Sequence, residues 1–240
     1  MRTRFLWRAM KARLRDQRAE LGIIRAHIQP GDLVCDIGAH KGSYTFWLSR
    51  WVKDGRVVAF EPQPALAAYL RVALPRVGCR NVIVEEKGVA ATTGDATFFI
   101  PSPNSPGASF VMRGEAPVDT QRLSVPVVAL DDYFAPGQRI ALLKIDAEGM
   151  EAAIFQGARR ILRESRPMLI FECENRHLAT SSVADVVAFL RGFGYEGAFF
   201  GPDGALRPVA QFDAGVHQRQ DKVRFWDDPA YCNNFVFRPS

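Results

Sequence analysis

The sequence predicts one doubly wound α/β domain, with a mostly parallel seven-stranded sheet, helices on both faces and an antiparallel hairpin at one edge. Three observations predict it. Short apolar runs such as Leu33–Ile37, Arg56–Phe60 and Ile140–Ile145 alternate with segments of helical periodicity, the pattern of βαβ units around a buried parallel sheet. The first run stops at a glycine-bracketed turn, Gly38-Ala39-His40-Lys41-Gly42, that leads straight into a helix. Several runs end on acids, Asp36, Glu61, Asp146 and Glu172, and strand carboxyl ends are where open α/β sheets bind ligands.

A chain of 240 residues with 48% apolar composition can bury one core of this kind. It holds no run of eighteen apolar residues, so no membrane span is expected. The N-terminus lacks the apolar stretch and cleavage site of a secretory leader. Cys35, Cys79, Cys173 and Cys232 lie far apart with no C-x-x-C pair. That spacing points to free thiols and a cytoplasmic setting, not to a disulfide frame or zinc site. The net charge of +5 is concentrated: residues 1–25 hold eight Lys/Arg against Asp16 and Glu20. The rest of the chain is close to neutral, with no basic groove for nucleic acid.

Taken in order, residues 3–28 read as one basic amphipathic helix. Phe5, Leu6, Met10, Leu14, Leu21 and Ile24 recur at helical spacing with arginines between them. Such a helix packs on the domain or on a second subunit of a homodimer; its alternative use is peripheral contact with an anionic membrane. Residues 29–240 form the single domain. Leu33–Ile37 is its first strand, and Tyr44–Leu48 opens the helix after the turn. Arg56–Phe60, the second strand, ends on Glu61. The helix from Pro62 to Leu74 keeps Pro62 and Pro64 in its opening turn, where a missing N–H costs nothing. Asn81–Glu85 is the third strand and runs into Lys87-Gly88-Val89-Ala90. Thr97–Ile100 and Leu123–Val128 are short strands bracketing 101–121, a Pro-, Gly- and Ser-rich segment. An irregular stretch of that length reads as a mobile lid over the acceptor, with Ser109 and Phe110 as contacts. Ile140–Ile145 is the fourth parallel strand, 149–164 one helix, Met168–Phe171 the fifth strand, and Val183–Phe193 a further helix. Ala198–Phe200 and Asn234–Phe237 supply the edge hairpin, with Trp226 and Tyr231 between them.

The turn after the first strand organises the rest. Gly38 and Gly42 open torsions closed to other residues and let a ligand approach the main chain. The first N–H groups of the next helix, around Tyr44 and Thr45, face the same crevice. The spacing D-x-G-x-x-x-G is neither the dinucleotide fingerprint nor the phosphate-cradling loop. An aspartate at its start repels a pyrophosphate and attracts an ammonium, and Glu61 can accept both ribose hydroxyls of a nucleoside. S-adenosylmethionine carries an ammonium, a sulfonium and a ribose, and fits that pair. The candidate cofactor-binding set is Asp36, Gly38, Ala39, His40, Gly42, Tyr44, Thr45, Glu61 and Pro62. Gly88 and Val89 join it beside the adenine, and Asp146 at the crevice.

The loop Asp36–Gly42, the block Leu143-Lys144-Ile145-Asp146-Ala147-Glu148-Gly149-Met150-Glu151 and the following Phe155-Gln156-Gly157-Ala158 resemble FkbM-type methyltransferases. The resemblance runs from Gly31 to Glu174, and K-I-D-x-E-G-x-E is its most specific piece. His40 departs from it, since the family more often carries asparagine there. The resemblance implies a Rossmann-like class I methyltransferase fold, with S-adenosylmethionine as cofactor and S-adenosylhomocysteine as product. It also implies methylation mainly of oxygens on sugars, polyketides and related metabolites, as in natural product biosynthesis.

Methyl transfer from a sulfonium is an in-line displacement. Orientation contributes on the order of 7–11 kcal/mol in well-aligned systems, and a general base about 10²–10⁴-fold. Asp146 or Glu172 is the candidate base or acceptor-orienting group, and Glu148 a structural anchor. His177 and His40 compete for the base role, His177 the better placed, with a surface histidine as its alternative. The carboxylates at adjacent strand ends could also hold Mg²⁺. Cofactor binding and the charge preference of helix N-termini explain them equally well, so no metal ligands are assigned. The expected acceptor is a hydroxyl on a small molecule or glycan, with a peptide carboxylate or amine as alternative. An NAD-dependent Rossmann oxidoreductase or epimerase is the rival class, disfavoured by the glycine spacing and by the lack of a Tyr-x-x-x-Lys pair. A non-catalytic partner that keeps the cofactor pocket is the third reading.

Overall fold

The computed structural model describes residues 2–100, 110, 120–221 and 224–240. The chain opens on helices α1 (Arg2–Lys11) and α2 (Arg18–His27), joined by a π-helical turn over Ala12–Asp16. Strand β1 (Leu33–Ile37), helix α3 (Ser43–Val52), β2 (Arg56–Phe60), α4 (Pro64–Arg76) and β3 (Val82–Glu85) follow. Next come β4 (Gly88–Val89), β5 (Gly94–Ile100), β6 (Gln121–Val128), α5 (Leu130–Tyr133) and β7 (Leu142–Ile145). Helices α6 (Glu151–Gln156) and α7 (Arg159–Glu164) lead to β8 (Met168–Glu172) and α8 (Val183–Gly192). The last elements are β9 (Tyr195–Phe200), β10 (Leu206–Pro208), α9 (Ala214–His217) and β11 (Asn234–Pro239).

The main sheet has the order β10-β9-β11-β8-β7-β1-β2-β3. It has eight strands instead of the seven expected, the extra one being the short β10. Strands β3, β2, β1, β7 and β8 run parallel. Strand β11 is antiparallel to both β8 and β9, so it is wedged between them and does not form the rim. Strand order reverses between β1 and β7, as the sequence suggested. The register there sets Asp36 beside Lys144 and opens the crevice at their carboxyl ends. Strands β7 and β8 are buried almost throughout, which is why they read as unbroken apolar runs.

Residues 3–28 are not one helix. Gln17 leaves helical torsions, at φ −129° and ψ 32°. The sequence contains the reason: in an unbroken helix the sixteen residues from Phe5 would carry Leu21 about 160° around the axis. Both are buried, in separate parts of the core, and the π-turn shifts the register between them. Phe5 packs edge-on against Phe46, and the Trp47 indole donates to the Ala9 carbonyl at 2.7 Å. Met10 and Leu14, expected among the apolar positions, are instead exposed.

Residues 149–164 break as well, at Gly157-Ala158. A Cβ at Gly157 would lie 2.2 Å from the Ala90 carbonyl oxygen, so only glycine permits this close approach. Asp131 then caps α7 from outside, accepting from the Arg160 and Ile161 amides at 2.7 and 3.0 Å. Strands β4, β6 and β5 make a separate three-stranded sheet. Most of the expected lid, Ser109 included, lies outside the described residues; Phe110 packs on Phe98 with ring centres 4.7 Å apart. All four cysteines are buried free thiols. Among the described residues no helix is long and apolar enough to cross a membrane.

Candidate functional site

The turn after β1 is held to β2 by its own amides. Gly38 and Ala39 both donate to the Phe60 carbonyl at 3.0 Å, and His40 donates to Glu61 Oε2 at 2.7 Å. These N–H groups are therefore spent within the fold, and a ligand meets this turn through its Cα faces and side chains. Gly38 sits at φ 80°, and a Cβ there would overlap the Asp146 carbonyl oxygen at 1.8 Å. His40 is left-handed at φ 48°, a region where Asn, Asp and His are the enriched non-glycine residues. Asn and His thus satisfy the same backbone requirement, and the exposed imidazole is not what position 40 demands.

Asp36 is 1% exposed. Its Oδ2 accepts from the Thr45 hydroxyl at 2.5 Å, while Oδ1 has no partner. Burial raises its pKa, and the Lys144 ammonium and Thr45 oppose that rise. Glu61 is also buried. Its oxygens take the His40 amide and, at 2.9 Å, the Gln63 amide beyond the half-buried Pro62. Burial lifts Glu61 to about 7, against the pull of those two N–H groups. Gly88 and Val89 are buried in β4, paired with Val127 and Val128. The space beside the Gly88 Cα is filled by the Phe110 ring.

Lys144 is a buried cation between the two strand ends. Its Nζ lies 3.1 Å from Asp146 Oδ2 and 4.4 Å from the centre of the Tyr44 ring. Tyr44 therefore reads as a platform for this ammonium. Lys144→Met should cost about 1–3 kcal/mol, less than a fully buried pair because Asp146 can rehydrate. Cofactor affinity should fall about tenfold as Asp36 and Asp146 lose their common counter-charge. Urea melts and calorimetric titration check both.

The remaining acids meet around one small cleft lined by Asp146, Glu148, Glu151, Glu172, Glu174 and His177. His177 is buried, which overturns the surface alternative. Its Nδ1 lies 3.3 Å from Glu148 Oε2, and Nε2 has no partner. Glu172 accepts from the Asn233 amide at 2.8 Å. Burial, then Asp146 and Glu174, hold its pKa well above the carboxylate range. Glu174 goes the other way: burial would raise it, but Arg176 (2.5 Å), Tyr231 and Asn233 donate to it and hold it at about 2. Gln218 locks this corner, accepting from the Asn175 amide at 2.8 Å and donating to the Cys173 carbonyl at 2.8 Å. Arg176, Asn233 and Gln218 were missed from the sequence; Asn233 and Gln218 lie 61 and 45 positions from the groups they bind, whereas Arg176 sits only two residues beyond Glu174. Among the described residues no three His, Cys, Asp or Glu side chains are grouped to hold a metal ion.

Glu151 is 1% exposed, with Oε1 accepting from the Gly149 amide and Oε2 unpartnered. Burial raises its pKa to about 8. A raised carboxylate means the folded state binds more protons than the unfolded one, so stability falls as pH rises from the unfolded value through 8. Glu151→Gln removes that penalty. Its stability advantage over wild type should widen by about 2–4 kcal/mol between pH 5 and 8.5, read from urea melts.

The FkbM methyltransferase domain profile matches residues 36–196. The chain belongs to the FkbM methyltransferase family. A methyltransferase FkbM from Methylobacillus flagellatus KT superposes with a TM-score of 0.54 at 18% identity, over 87% of this chain and 43% of that one. The chain thus spans less than half the length of that relative. A SAM-dependent methyltransferase from Aquifex aeolicus superposes with a TM-score of 0.50 at 14% identity, covering 95% of this chain and 91% of that one. These likenesses show the Rossmann-like class I fold. No curated protein matches the chain. Within the FkbM match, Gly38, Asp146 and Gly157 are all positions of close backbone contact.

Proposed function

We propose that this FkbM family member is an S-adenosylmethionine-dependent methyltransferase acting on a hydroxyl of a small molecule or glycan. Asp36 carries the cofactor half of the reading. A buried carboxylate oxygen without a donor costs about 1–3 kcal/mol, and an ammonium at this strand end would supply the donor. Glu61 would hold the ribose hydroxyls through lone pairs that His40 and Gln63 leave open. The cofactor, when bound, supplies a methyl group activated on a sulfonium.

His177 is the base the geometry supports best. With Nδ1–H directed at Glu148, Nε2 is an acceptor; His177 lines the cleft, and this buried nitrogen has no partner. Asp146 is engaged by Lys144. Glu172, whose pKa is raised by burial and then by Asp146 and Glu174, suits orientation of the acceptor oxygen. In this scheme Nε2 takes the hydroxyl proton and Glu148 steadies the imidazolium. Calorimetric titration with S-adenosylmethionine, S-adenosylhomocysteine and NAD tests the cofactor. Methyl-labelled cofactor offered with hydroxyl, carboxylate and amine acceptors tests the chemistry. Binding of NAD alone would end the cofactor reading; label appearing only on carboxylates or amines would end the hydroxyl reading.

A further inference from the structure

We propose that the outward face of α1 and its π-turn docks on a membrane surface rich in anionic lipid. Trp7, Met10 and Leu14 are 62%, 43% and 66% exposed. At spacings of three and four residues they form one stripe on the helix. Single exposed apolar residues are ordinary, but three of the eight large ones exposed among the described residues share this stripe. They are not a frayed end awaiting its own core. The inner face of the same helix already buries Phe5 and Ala9, and Arg8 donates to the Tyr69 hydroxyl at 2.5 Å.

Basic residues run beside the stripe. Arg2, Arg4, Arg15 and Arg18 are exposed, and Lys11 is half-buried. The acids that answer them are few: Asp16 pairs with Lys11 at 2.9 Å and Arg15 at 3.1 Å, and Glu20 is buried. A narrow apolar stripe carrying a tryptophan and rimmed by arginines matches the boundary between headgroups and acyl chains. A second copy fits worse. A two-fold contact would set the same arginines against one another, and three side chains fall far short of the roughly 800 Å² per partner that a stable dimer needs. The same helix reaches the cofactor turn through its inner face, since a Cβ at Gly42 would lie 3.4 Å from the Phe5 ring.

The test uses the full chain, without cofactor, in co-sedimentation with vesicles of phosphatidylcholine alone or with about a third phosphatidylglycerol. The chain should pellet with the anionic vesicles, and about 0.5 M salt should release most of it. Arg4→Glu with Arg18→Glu, and separately Trp7→Ser with Leu14→Ser, should each weaken binding about tenfold or more. None of the four residues touches the cofactor turn, so unchanged calorimetric titration with S-adenosylmethionine certifies the fold of each variant. Three results would overturn the proposal: wild type left in the supernatant at low salt, binding that neither variant changes, or a dimer abolished by the serine variant without any vesicle binding.

Discussion

Gly38→Ala is expected to lose about 3–5 kcal/mol of stability and to bind S-adenosylmethionine at least tenfold more weakly. The residue holds φ 80°, which an alanine adopts only with strain. Strain is the smaller part. A Cβ at this position falls 1.8 Å from the Asp146 carbonyl oxygen and 2.8 Å from its carbonyl carbon. Neither atom is at the end of a flexible side chain, so one of two backbones must retreat. The β1 turn is held through Phe60 and the β7 end by the Asp146 amide on the Ile37 carbonyl at 2.9 Å. Whichever gives way, Asp36, Lys144 and Asp146 move apart. Urea denaturation and calorimetric titration report the two losses; wild-type values in both would remove this contact from the account of the site.

His177→Ala is expected to slow methyl transfer about 10²–10⁴-fold while leaving cofactor affinity within about twofold. The imidazole touches Glu148 and not the Asp36–Glu61 end of the crevice, so the loss belongs in kcat. Glu148→Gln should cost less, since it keeps a hydrogen-bond partner for Nδ1 but no longer stabilises the imidazolium. If Asp146→Asn or Glu172→Gln instead caused the larger fall in kcat with His177→Ala near wild type, the base would be a carboxylate. Single-turnover kinetics on the first acceptor identified would separate the cases.

The parts of this site that could be read from the sequence are those written within a few residues. The β1 turn, Asp36 ahead of it, Glu61 closing β2 and the Lys144–Glu151 block each declare themselves by spacing, because one strand end and one turn set their geometry. What escaped notice is set by distant partners. The capping of α7 by Asp131 depends on a residue 29 positions before Arg160, and without it 149–164 has the periodicity of one helix. The lowered pKa of Glu174 depends in part on Tyr231 and Asn233, which lie on the far side of the α8–β9 excursion. The break in the leading helix was within reach, since the 100° step already places Phe5 and Leu21 on opposite faces.

The wedged position of β11 has a consequence for how the chain is made. Until residues 234–239 emerge from the ribosome, β8 presents a bare row of amides and carbonyls, and β9 with β10 has no seat on the sheet. A nascent chain at that stage carries a long unpaired edge, the kind of surface that recruits foreign strands. Asn233, one residue ahead of β11, reaches Glu172 and Glu174. Zipping shut the last gap therefore also completes the acidic corner, so a half-made polypeptide holds neither a finished sheet nor a working pocket.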